Sequence, residues 1–139
     1  MNNRRELVAL LGAGLLSQSS ASAAPGIPDL VFDSKGAKLT RETFGDLRIY
    51  FEGSTEQLQT MTAGSLELKA GMTPHPPHTH PEEEIMLLTA GSGEITIEGK
   101  AHHCAAGSMM YCAANHSHGI VNTGKTPLTF YFFKWIKRG

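Results

Sequence analysis

The segment Gly71–Gly91, GMTPHPPHTHPEEEIMLLTAG, restricts the fold of this chain more than any other stretch. Within it His78, His80 and Glu84 share one parity. Side chains of an extended backbone alternate between faces, so all three point to the same side. Two residues of strand advance roughly 6–7 Å, which lets imidazoles at i and i+2 converge on one ion between them. Glu84 joins them if the strand curves, and Pro74, Pro76, Pro77 and Pro81 mark where the backbone leaves regular pairing. A further imidazole, His118, lies in the strand-and-turn stretch GSMMYCAANHSHGIVN, Gly107–Asn122. Three nitrogens and one carboxylate oxygen would hold a divalent ion and leave a coordination position open for a ligand. A single His-x-His is ordinarily a surface pair; the correctly offset Glu and the distant second histidine turn it into a metal-site expectation.

Other histidines read differently. His75 has the opposite parity among prolines and is expected to be a solvated loop residue. His116 shares the parity of His118 and is a candidate for the pocket mouth or a proton shuttle. His102 and His103 are adjacent and face opposite sides of one strand. Glu82 and Glu83 are expected as rim charges, and Met72, Met86, Phe130 and Phe132 as core or as the floor of an apolar pocket.

The first stretch, G-x6-H-x-H-x3-E-x6-G through Gly71, His78, His80, Glu84 and Gly91, resembles the first motif of the cupin superfamily with one extra residue after its opening glycine. The second, G-x5-A-x-N-x2-H-x3-N through Gly107, Ala113, Asn115, His118 and Asn122, resembles the second cupin motif. That motif usually carries proline and glycine where this chain has Ala113 and Asn115; Asn tolerates the left-handed backbone that glycine would supply. The resemblance implies a small single-domain cupin: an all-β, double-sheet jelly-roll barrel. It also implies a single ion on His78, His80, Glu84 and His118.

The rest of the chain agrees with an all-β fold. Leu30–Phe32 suggests an edge strand, Leu47–Phe51 and Met61–Lys69 carry strand patterns, and Leu128–Ile136 is a long final strand. Glu84–Leu88 with Glu94–Glu98 reads as one hairpin, and His102–Cys104 with Ser108–Cys112 as the next. On that second pairing Cys104 faces position 109, so Cys104 and Cys112 are expected as buried free thiols. Tyr131, Phe133 and Trp135 make the final strand apolar on both faces, which suits a homodimer interface.

The N-terminus reads as an export signal over residues 1–23: Arg4-Arg5, an apolar core from Leu7 to Leu16, and Ala21-Ser22-Ala23 before the cleavage point. The paired arginines resemble a twin-arginine signal, with the general secretory route as the alternative. Residues 24–139 then form the domain, expected to be periplasmic or secreted. Losing Arg4, Arg5 and Glu6 takes the formal net charge from −1 to −2. That leaves no basic footprint for nucleic acid and no basic amphipathic stretch for a membrane surface.

Nitrogen and oxygen ligands accept Mn, Fe, Co, Ni, Cu or Zn, and raw affinity favours Cu and Zn. Folding before export would let the protein carry a weaker-binding ion out of the cytoplasm, which places Mn or Fe first; secretion before folding would favour Cu or Zn. Three functions follow from the resemblance. The leading one is a dioxygenase-type oxidoreductase on a small oxygen-bearing organic molecule, with Glu84 doubling as a base. A metal-dependent isomerase or lyase is the second, and a non-catalytic module for a small molecule such as a sugar, or for a metal, is the third.

Overall fold

Inward rows of side chains explain how this sequence closes on itself. The computed structural model describes residues 26–139, and the export signal expected at residues 1–23 lies outside them. The strands are β1 (Lys38–Glu42), β2 (Gly45–Gly53), β3 (Leu58–Leu68), β4 (Glu83–Ala90), β5 (Ser92–Ile97), β6 (Lys100–Ala105), β7 (Met109–Cys112), β8 (His118–Val121) and β9 (Leu128–Lys137). They form two antiparallel sheets, one ordered β1-β2-β3-β9-β4-β7 and the other β6-β5-β8. Among the described residues no helix is long and apolar enough to cross a membrane.

In the larger sheet Leu47, Leu66, Phe130 and Leu88 stand in one register row across β2, β3, β9 and β4. Leu66, Leu88 and Phe130 are buried and meet Ile95, Cys104 and Ile120 of the smaller sheet in one core. Burying a side chain of this size contributes about 1.5–3 kcal/mol, so a handful of such positions specifies the sandwich. The next row is Gly64, Phe132, Met86 and Met110, and the one after it Thr62, Lys134, Glu84 and Cys112. Polarity therefore rises row by row towards one end of the barrel. A Cβ on Gly64 would meet the Phe132 ring at 2.5 Å and the Arg48 carbonyl oxygen at 2.6 Å, so only glycine lets that ring lie flat across β3.

The all-β, double-sheet jelly-roll expectation holds, and so do the cores of the strands at 47–51, 61–68 and 128–136. Both expected hairpins do not form. β4 pairs with β7 and β9, while β5 pairs with β6 and β8. The chain crosses between sheets at Gly91 and again at Gly107, both at positive φ. The hairpin that does form joins β5 to β6 through Glu98 and Gly99, with φ of 48° and 77°. Two successive left-handed residues match the twist of paired strands. Leu30–Phe32 is not a strand; β1 is the edge. Cys104 and Cys112 are indeed buried and unbridged, but because β6 and β7 lie in different sheets.

Candidate metal centre

His78 and His80 precede β4, so strand parity is not what brings them together. An isolated bridge does it: the His78 and His118 amides each donate to the other's carbonyl at 3.0 Å. His80 is fixed by the second motif, whose Asn115 amide donates to the His80 carbonyl at 2.8 Å. Asn115 adopts φ of 62°, the left-handed conformation anticipated for it. Glu84 is the first inward residue of β4 and stands between Cys112 and Lys134.

These supports bring the ring nitrogens of His78, His80 and His118 within 4.8 Å of one another. The rings meet edge to face, with centroids 4.8–5.2 Å apart. Glu84 Oε2 lies 2.9 Å from His80 Nε2 and 2.7 Å from His118 Nε2. His78 is exposed, His80 half-buried, and His118 and Glu84 buried.

The tautomers follow from the opposite edges of the rings. His80 Nδ1 faces the Glu82 carbonyl at 3.1 Å and the Glu82 carboxylate at 3.2 Å; His118 Nδ1 faces the His116 carbonyl at 3.2 Å. Those oxygens only accept, so each Nδ1 carries the proton and each neutral ring turns an Nε2 lone pair towards Glu84. Lone pairs facing a carboxylate at hydrogen-bond distance need a cation between them: a proton or a metal ion. The three imidazoles therefore fit a divalent transition ion, and the Glu84 carboxylate stands beside two of them.

Without metal, a proton on His118 fills that role. The hydrogen bond from Glu84 raises the His118 pKa, outweighing burial. Burial would push the Glu84 carboxyl up, but the hydrogen bonds and charges of His118 and His80 hold it below the usual carboxylate range. His78 is lowered by partial burial and by the neighbouring His75, His118 and His80.

The cluster opens on a cavity of about 190 Å³ walled by Phe44, Leu47, Leu66, Met86, Phe130 and Phe132. Met86, Phe130 and Phe132 thus act as the pocket floor, while Met72 is exposed and outside it. His75 departs from its expected solvated position: it is half-buried, lines the cavity, and stacks on His78 with ring centroids 3.8 Å apart. The proline-rich loop folds back on itself, which parity in an extended chain does not anticipate. His116 is exposed and offers its carbonyl, not its ring. Glu82 steadies His80, and Glu83 points outward, held by Tyr111 at 2.7 Å and Trp135 at 3.0 Å. The residue missed from sequence is Lys134, which lines the cavity beside Glu84. Its shared parity with Phe130 and Phe132 was the available signal.

The cupin domain model matches residues 64–134, which hold His75, His78, His80, Glu84, His118 and Lys134, while Phe44 and Leu47 of the cavity wall precede it. The dimethylsulfoniopropionate lyase DddW of Ruegeria pomeroyi is 32% identical over 95 residues, covering 67% of this chain and 61% of that protein. An RmlC-like cupin from Shewanella frigidimarina superposes with a TM-score of 0.65 at 13% identity, over 80% of this chain and 94% of that one. A predicted oxalate decarboxylase from Thermotoga maritima gives 0.62 at 24% identity, over 77% and 99%. At such identities the structural likenesses speak to the fold alone.

Proposed function

Because this chain belongs to the cupin domain family, we propose that it is a metal-dependent enzyme that holds one divalent transition ion on His78, His80, Glu84 and His118 and cleaves a small organic substrate in the barrel, as a lyase. The observation that carries this reading is the convergence of two Nε2 lone pairs and the Glu84 carboxylate at the wall of an apolar cavity. Mn or Fe is the first choice of ion, with Ni, Cu and Zn as alternatives. A bound ion supplies Lewis acidity to a substrate oxygen.

The chain's own groups do the rest. Phe44, Leu47, Phe130 and Phe132 exclude water from the reacting atoms. Glu84 is the carboxylate among the described cavity-lining residues and stands at the metal cluster, which makes it the first choice of base, with His75, the cavity-lining imidazole outside the ligand set, as the alternative. In an elimination Glu84 takes a proton from carbon, the released C–H pair forms the new double bond, and the leaving group departs with the electrons of its own bond. The likeness to a lyase supports this choice. The apolar walls, in which O2 dissolves readily, favour a dioxygenase-type oxidoreductase as the second reading.

Turnover of small oxygen-bearing substrates by metal-loaded protein, run with and without O2, tests the assignment. Product formed under anoxia supports the lyase; product only with O2 uptake supports the oxidoreductase. Tight binding across the panel with no turnover in either atmosphere would make the barrel a binding module. We also propose that the signal at residues 1–23 exports the protein already folded, which retains an ion acquired in the cytoplasm. Periplasmic protein lost on Arg4→Lys, Arg5→Lys substitution supports that route, and unchanged export overturns it.

A further inference from the structure

Lys134 is the one lysine or arginine among the residues lining the cavity. Its backbone pairs with Glu84 on one side and Thr62 on the other, so its side chain belongs to the inward row that carries the metal-site carboxylate. Lys134 is half-buried as a residue, and among the described residues its ammonium has neither an ion pair within 4.0 Å nor a side-chain hydrogen bond. Glu84, the nearest acid in register, is engaged by His80 and His118 instead. Apart from His75, His78, His80 and His118, the rest of the wall is aromatic and aliphatic. Lys134 lies close enough to the cluster for its charge to push against protonation of His118.

A lysine that lines a largely apolar cavity without an acidic partner offers its charge to an anion that enters there. We propose that Lys134 is the specificity residue of this site, and that it takes the carboxylate of a small substrate acid whose apolar remainder packs against Phe130 and Phe132. This rests on the reading of the barrel as the substrate pocket. The about 190 Å³ available suits an acid of a few carbons, with its carboxylate on Lys134 and its reacting carbon towards Glu84. Lys134 acts by binding and orienting; it takes no part in proton transfer.

The test uses 3-methylbutanoate and its uncharged isostere 3-methylbutanamide as probes, titrated by NMR into the full domain, metal-free and metal-loaded. Metal content is measured separately, so a failed metal site and a failed Lys134 anchor are told apart. In the metal-free form, where no ion draws the carboxylate, wild type should bind it about tenfold more tightly than the amide, the size expected of a charge-assisted hydrogen bond. Lys134→Met should abolish that preference while leaving amide binding and metal content unchanged, and Lys134→Arg should retain it. Absence of a preference in metal-free wild type, or a preference that survives in metal-free Lys134→Met, would overturn the proposal. Thermal melts of both variants confirm that each is folded when it is titrated.

Discussion

Glu84 stands within hydrogen-bond distance of two imidazoles while only 5% exposed, and this contact sets the pH behaviour of the metal-free protein. The Glu84 pKa is depressed below its ordinary 4.5, so its contribution to stability is full above that value and is lost as pH falls through the depressed one. His118 is raised above its ordinary 6.5, so its contribution is full below 6.5 and is lost as pH rises through the raised value. Both are present together between 4.5 and 6.5. Melting curves of metal-free protein should therefore show greatest stability in that window, with a flatter profile in Glu84→Gln. An unchanged profile in the variant would mean that the pair does not govern the pH response. The grouping of His78, His80 and His118 was legible because residue type and spacing carry its chemistry. Lys134 was not, since its meaning depends on facing Glu84 across β9 and β4, a register that no local pattern states.

At the scale of elements, the second motif works as a clasp on the first. Asn122 is fully buried; its amide donates to the Leu68 and Thr126 carbonyls at 3.0 and 2.9 Å, and its side-chain oxygen accepts from the Gly124 amide at 3.0 Å. Its backbone pairs with Gly71 and Met72, where the histidine loop leaves β3. Asn122→Ala strips three hydrogen bonds from a buried turn and should cost about 1–3 kcal/mol in chemical denaturation, with weaker metal retention. At Asn115, whose amide holds His80, Asn115→Gly should be tolerated, whereas Asn115→Val should destabilise by about 1–2 kcal/mol, because a β-branched residue resists the left-handed backbone. Equal stability of the two variants would contradict that account. These turns were readable from sequence, but strand pairing was not. β4 and β5 go to opposite sheets, as do β6 and β7, so short alternating segments either side of Gly91 look like a hairpin while each finds a partner far along the chain.

Across the whole molecule, the larger sheet has a second apolar face. Phe133, Ile85 and Tyr111 form one outward register row and Tyr131, Leu87 and Met109 the next, with Met109 67% and Tyr111 54% exposed. This is the surface on which the expected homodimer would form. Light scattering should give a dimer for wild type and a monomer for Phe133→Glu with Met109→Lys; a wild-type monomer at high concentration would contradict it. The two ends of the account meet in the metal centre, for which the most direct measurement is elemental analysis of protein purified from its native compartment, beside His78→Ala, Glu84→Ala and His118→Ala. The account predicts about one transition ion per chain in wild type and loss of it in each variant, with weakening of more than about tenfold. Metal-free wild type that takes up no ion on incubation, or variants that keep wild-type content, would contradict it.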